Sequence, residues 1–123
     1  MVCLGNICRS PLAEGILRKK ANDKGIAIFI DSAGTSDYHI GQQPDLRTQE
    51  NALKHGINLS KLKGRQFTVK DFDNFDAIYC MDQSNYNNVI RLSRNDSDKN
   101  KVELLLNISQ PNSNQAVPDP YYG

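Results

Sequence analysis

Cys3 and Arg9 are separated by five residues in the run Cys3-Leu4-Gly5-Asn6-Ile7-Cys8-Arg9-Ser10-Pro11. A loop of that length can curl until successive backbone N–H groups point inward and form a nest for an anion. Gly5 and Asn6 are the residue types that tolerate the positive φ such a curl needs. Arg9 brings a planar fork that matches two oxygens of a phosphate. Ser10 and Pro11 open a helix, whose N-terminal N–H groups and positive dipole end add to the same point. An ordinary free thiol is only about 3% thiolate at pH 7. A helix N-terminus and a nearby arginine favour the thiolate, and a hydrogen bond from the Ser10 hydroxyl pushes the same way. The chemistry is that of a sulfur nucleophile at the base of a cradle for a tetrahedral oxyanion. The competing reading is a redox or metal pair, Cys3 and Cys8, in an ordinary strand-to-helix turn. It is the weaker one, because two thiols without further ligands make a poor zinc site.

The elements that must hold this loop follow from the pattern of the chain. Residues Pro11 to about Lys24 read as a helix: Leu12, Ile16 and Leu17 recur at helical spacing, Glu14 sits in the first turn, and Gly25 is a natural stop. Ile26-Ala27-Ile28-Phe29-Ile30 is a short apolar, β-branched run and predicts a strand. It ends in Asp31-Ser32-Ala33-Gly34-Thr35, where turn chemistry accounts for Asp31 and Ser32. Residues Ser36 to Gly41 form a loop carrying Tyr38 and His39. Asp45 is a candidate N-cap for a helix to about His55, closed by Gly56. Thr68 and Asp71 resemble a capping box for a short helix through Phe75. Asp76 to Met81 predicts the next strand, and Asp82 caps a helix that carries Val89, Ile90 and Leu92. Arg94 to Lys101 is polar and predicts a surface loop. Val102 to Leu106 predicts a short strand, and residues 107–116 a loop. The alternation argues for an α/β fold in three layers, a parallel sheet flanked by helices.

The composition narrows the function. At 123 residues the chain is one domain, residues 1–123, able to bury about two-thirds of its unfolded surface. A net charge of +1 offers no bulk electrostatic case for nucleic acid or for a membrane. No apolar run approaches the length of a membrane span, and no signal peptide is visible. The three cysteines are odd in number and do not read as a disulfide framework, which points to a reducing cytoplasm.

Val2 to Pro11 resembles the signature of the low-molecular-weight protein tyrosine phosphatases. A bare Cys-to-Arg spacing would carry little, but the full run with Cys8 before Arg9 is specific. The chain closes on Val117-Pro118-Asp119-Pro120-Tyr121-Tyr122-Gly123. Prolines flanking an acid force Asp119 away from helical geometry, which alone reads as a turn. Beside the loop signature it is similar to the Asp-Pro-Tyr-Tyr acid loop of that family, so the resemblance spans nearly the whole chain. What it implies is hydrolysis of phosphotyrosine monoesters in two steps. Cys3 attacks phosphorus, Arg9 and the loop residues Cys3 to Ser10 hold the phosphate, and Asp119 serves as acid and then base. It further implies that Ser32 joins Asn6 and Ser10 in a network supporting the loop, and that Asp82 orients Arg9. Tyr38, His39, Tyr121 and Tyr122 would stand at the substrate rim. No metal or cofactor is expected. The implied partners are phosphotyrosine proteins or small aryl phosphates, with phosphate, vanadate or sulfate as site ligands.

Alternatives share the signature. In phosphoarginine phosphatases of the same fold the residue before the second loop cysteine is typically threonine; Ile7 here favours phosphotyrosine. A thiol-dependent arsenate reductase needs two further cysteines. Cys80 stands roughly where the first would be, but Asn87 occupies the place of the second. A phosphate-binding remnant with little turnover is the non-enzymatic alternative. Relatives carry an apolar strand directly before the loop and a long helix after the Asp-Pro-Tyr-Tyr run. Here the first is cut to Met1 and Val2 and the second is absent, so a chain of this extent is expected to be poorly active and poorly soluble. Cys8 is expected to trap an oxidised Cys3 as a reversible disulfide.

Overall fold

The structure, a computed structural model, describes residues 1–118. Four short strands form its sheet: β1 (Val2–Cys3), β2 (Ala33–Gly34), β3 (Ile78–Cys80) and β4 (Val102–Leu104). Their order is β2-β1-β3-β4, and every pairing is parallel. Two residues suffice to make β1 a central strand: Val2 pairs with Ala33 on one side and with Cys80 on the other. Helix α1 (Arg9–Asp23) links β1 to β2, and α4 (Gln83–Arg91) follows β3 and precedes β4. The two connections run outward in opposite directions along the sheet. Right-handed crossovers then place α1 and α4 on opposite faces, which makes the three layers expected from the alternation. The same reversal opens a crevice at the carboxyl ends of β1 and β3, where open parallel sheets bind their ligands.

The core is an apolar cluster on the sheet: Val2, Ala33, Ile78, Cys80 and Val102 from the strands, with Phe67, Phe72 and Val89 packed on them. Phe67 and Phe72 meet edge to face, with ring centroids 5.3 Å apart. That arrangement suits the ring quadrupoles. Helix α2 (Leu46–Lys54) starts as expected at Asp45, whose side chain accepts from the Arg47 and Thr48 backbone N–H groups. Asp71 opens α3 (Asp71–Asn74), and its carboxylate accepts from the Thr68 N–H at 2.9 Å, half of the expected box.

Two regions depart from the sequence reading. Residues 26–30 are not a strand. Ile26, Ile28 and Phe29 are 51, 52 and 79% exposed. A parallel strand needs a partner ladder, and β2 begins its pairing with β1 only at Ala33 opposite Val2. No strand among the described residues stands opposite 26–30. The segment is held instead by bonds at its ends, Ile26 N–H to Ala21 O and Arg18 Nη2 to Ile30 O, and Phe29 stacks on Phe75 at 5.7 Å. Residues 94–101 are not a plain loop either. Asn95 caps a helix, α5 (Asp96–Asn100), by accepting from the Asp98 N–H. The Asp98 carboxylate in turn accepts from the Arg94 N–H and guanidinium, so polar residues fold locally without an apolar face.

Candidate active site

The site lies where β1 ends. The carbonyls of Cys3, Leu4, Ile7 and Cys8 accept bonds from the N–H groups of Thr35, Ser36, Asp45 and Leu12 respectively, at 2.7–3.2 Å. In a trans peptide the N–H points opposite to the C=O. The N–H groups of Leu4, Gly5, Cys8 and Arg9 are thereby turned to the inner side of the loop. Asn6 completes the curl at φ 58°, a value asparagine tolerates. Its own N–H donates to Cys3 Sγ at 3.2 Å. Ser10 Oγ lies 3.0 Å from the same sulfur. Cys3, Asn6 and Ser10 are all buried.

Arg9 opens α1 and points across the crevice to the neighbouring strand's loop. Its Nη1 donates to Asp82 Oδ2 and to Val117 O, both at 2.9 Å. Asp82 serves twice, because its Oδ1 accepts from the Asn85 N–H and caps α4. Val117 N–H also donates to Met81 O at 2.7 Å. The two bonds tie the segment that leads into Asp119 to the arginine and to the end of β3. Asp119, Tyr121 and Tyr122 themselves lie outside the described residues.

Behind the loop, Asn6 Nδ2 donates to Ser10 Oγ at 2.7 Å and to Ser32 Oγ at 2.9 Å, while Asn6 Oδ1 accepts from the Arg65 N–H at 3.1 Å. The structure thus brings together Cys3, Asn6, Arg9, Ser10, Ser32 and Asp82. His39 sits against the loop: a methyl group on Gly5 would come within 2.8 Å of its Cδ2. Tyr38 beside it is 71% exposed.

Three features escaped sequence reasoning. Gly34 is one: a Cβ there would lie 2.8 Å from Leu4 O and 3.1 Å from Asn6 N, so only glycine lets β2 approach the loop backbone. Arg65 is another. Its guanidinium meets Asp31 and Asp71 at 3.0 Å each. Burial works against its charge, and these bonds more than offset that, holding its proton more tightly than usual. The third is the buried carboxylate of Glu14. No local pattern marks Arg65 or Glu14, whereas the small-residue run Ser32-Ala33-Gly34 is a signal of close backbone approach.

Cys80 takes a different part. It is buried in the apolar core, and burial pushes its thiol up to about 12. Among the described residues, no group of histidine, cysteine and carboxylate side chains could hold a metal ion, and no helix is long and apolar enough to cross a membrane.

A thiol in an anion-turned loop, at the switch point of a parallel sheet and facing a pinned arginine, defines a phosphate-handling α/β protein. The family model "Low molecular weight phosphotyrosine protein phosphatase" matches residues 1–123, and the chain belongs to that family of hydrolases. It is 47% identical over 125 residues to the low molecular weight phosphotyrosine protein phosphatase of Gallus gallus, covering 99% of this chain and 78% of that one. A solved protein tyrosine phosphatase from Entamoeba histolytica, with Hepes in its active site, superposes with a TM-score of 0.91 at 37% identity, covering 99% of this chain and 78% of the other. A Drosophila arginine phosphatase superposes with a TM-score of 0.85 at 32% identity, over 98% of this chain and 78% of that one.

Proposed function

We propose that residues 1–123 act as a single cytoplasmic phosphatase domain that hydrolyses phosphotyrosine monoesters through a cysteinyl-phosphate. The observation that carries this reading is the setting of Cys3 Sγ. The Asn6 N–H donates to it at 3.2 Å and the Ser10 hydroxyl oxygen lies 3.0 Å from it, inside a loop with four carbonyls tied outward. Contacts of this kind hold the sulfur in place for attack on an anion seated in the loop.

In the first step the Cys3 thiolate attacks phosphorus: an S–P bond forms and the P–O bond to the phenolic oxygen breaks. Asp119 gives its proton to that oxygen as it leaves. In the second step the Asp119 carboxylate takes a proton from water, the water oxygen bonds to phosphorus, and the S–P bond breaks to release phosphate and thiolate. Arg9 and the inward N–H groups hold the non-bridging oxygens. In a loose transition state their work is mostly positioning, which is what the double anchorage of Arg9 on Asp82 and Val117 supplies. Tyr38, His39, Tyr121 and Tyr122 are the residues assigned to receive an aryl group, and phosphate, vanadate or sulfate is the simple ligand assigned to the cradle.

The test compares release of p-nitrophenol from its phosphate ester, with vanadate as inhibitor, against hydrolysis of phosphotyrosine and phosphoarginine peptides. Turnover of the aryl and tyrosyl esters with vanadate inhibition is the expected result. Turnover of phosphoarginine alone would transfer the assignment to the activity of the Drosophila neighbour, and vanadate binding without turnover would make the site a phosphate-binding one. In a leaving-group series, Asp119→Ala should slow esters of poor leaving groups about 10²–10⁴-fold and spare those of good ones. Equal losses across the series would remove Asp119 from the acid role.

A further inference from the structure

Glu14 is a carboxylate with 2% exposure on α1, and the mechanism above gives it no part. Its two oxygens have different partners. Oε2 accepts from Arg18 Nη2 at 2.7 Å, and Oε1 accepts from the Ser32 hydroxyl at 2.5 Å. From Ser32 the bonds run through Asn6 Nδ2 at 2.9 Å and Ser10 Oγ at 2.7 Å to Cys3 Sγ at 3.0 Å. The direction of every link follows from which groups can donate. A carboxylate only accepts, so the Ser32 proton goes to Glu14 and the Ser32 oxygen is left to accept from Asn6. Asn6 cannot flip, because its Oδ1 is held by the Arg65 N–H at 3.1 Å. Both hydrogens of its amide are therefore spent on Ser32 and Ser10. Ser10, accepting from Asn6, has its own proton free for the sulfur at 3.0 Å in preference to Ala33 O at 3.5 Å.

We infer that Glu14 is a positioning residue for the nucleophile: by taking the Ser32 proton it leaves the Ser32 oxygen to accept from Asn6, and so steadies the Asn6 amide that holds Ser10 against Cys3. The inference rests on Cys3 being the nucleophile, but its test needs no turnover. Arg18 on the same helix neutralises the carboxylate, and the amino group of Met1 is also close enough to interact with its charge. Glu14 thus works through the bond to Ser32 more than through a field at Cys3.

Glu14→Gln separates the two. Arg18 requires an acceptor, so the amide oxygen faces Arg18 and the amide nitrogen faces Ser32. Ser32 then has donors on both sides. Its proton is either stranded in a buried site or turned on Asn6 at the expense of that bond. Loss of the negative charge by itself would act the other way and favour the thiolate.

The experiment follows carboxymethylation of Cys3 by iodoacetate against pH, read by peptide mass, in the wild-type chain, Glu14→Gln, Ser32→Ala and the double variant. The expected result is about tenfold slower reaction near pH 6 in Glu14→Gln, recovered at high pH, a like shift in Ser32→Ala, and no further shift in the double variant. Slowing that is equal at all pH values, an unchanged or faster profile, or losses that multiply in the double variant would overturn the inference. Should Glu14→Gln not fold, Ser32→Ala carries the test alone: it deletes one hydroxyl, and an unshifted profile there is sufficient to reject the chain. A shifted profile in a protein without phosphatase activity would reject the proposed function and leave this inference standing.

Discussion

The loop Cys3 to Ser10 leads out of β1 and the segment 26–30 leads toward β2, and they have opposite fates. The loop contains no repeating structure until α1 begins, yet four of its carbonyls, the Asn6 amide and the Cys3 sulfur all have partners, and most of it is buried. The segment is apolar and β-branched, the composition of a buried strand, yet Phe29 is 79% exposed. The loop's geometry is written into residue types that act locally, with Asn6 alone in the loop taking the positive φ of the curl, which Gly5 does not need, and serine and proline starting the helix. A strand is different. β propensity reports fit to a pleated, half-buried surface, and without a neighbouring ladder the same side chains gain nothing from the extended form.

The sharpest way to break this contrast is at the sulfur. Cys3→Ser should reduce hydrolysis to background while phosphate or vanadate affinity stays within about tenfold, because the donors that surround the anion remain. Residual turnover near the wild-type rate would mean that the loop's order serves binding alone.

A second cysteine tests burial without chemistry. The Cys80 thiol is pushed up from 9.0 to about 12 by burial in β3. The folded state then favours the neutral form, so its contribution is complete below about pH 9 and is lost as pH rises toward 12. Three pKa steps correspond to on the order of 4 kcal/mol at most. Denaturant titrations between pH 8 and 11 should show a steeper loss of stability for the wild-type chain than for Cys80→Ala. Parallel slopes would contradict the burial of this thiol.

Gly34→Ala probes the approach of β2 to the loop. The added methyl would meet Leu4 O at 2.8 Å, which should cost about 1–3 kcal/mol of stability and displace the cradle. The variant's loss of vanadate affinity should exceed its loss of stability. Stability lost with affinity intact would show that the strand yields and the loop does not.

The smallest effect is expected at Phe29. Phe29→Ala should change stability by no more than about 0.5 kcal/mol, whereas Phe72→Ala, at 0% exposure, should cost about 3–5 kcal/mol. A loss at Phe29 comparable with that at Phe72 would mean that residues 26–30 are covered in solution.

Much of the site was legible because it is local. Cys3, Gly5, Asn6, Arg9 and Ser10 sit within eight consecutive residues, and each residue type admits few alternatives in an anion-binding curl. The capping role of Asp82 could be read for the same reason. Its second role, orienting Arg9, was implied only by the family resemblance and not by any local pattern. That Asp82 and Val117 would share Arg9 is a consequence of β3 lying beside β1, a pairing of residues 73 and 108 positions apart from the arginine. Residues 94–101 misled because α5 is held by an asparagine cap and by Arg94 gripping Asp98, with no apolar stripe to reveal it.

The sequence by itself determined the nature of the chemistry, a thiol and an arginine on an anion-turned loop, and the alternation of strands and helices that carries it. Tertiary structure alone decided which distant groups complete the site: Gly34 admitting the loop backbone, the Arg65 N–H holding Asn6, and Glu14 at the far end of the chain of bonds to Cys3. It also decided that residues 26–30 are not a strand. The physical reason is common to all four. A turn or a cap is satisfied by neighbours in sequence, whereas a buried polar group and a β-ladder are satisfied only by whatever the packed fold sets opposite them.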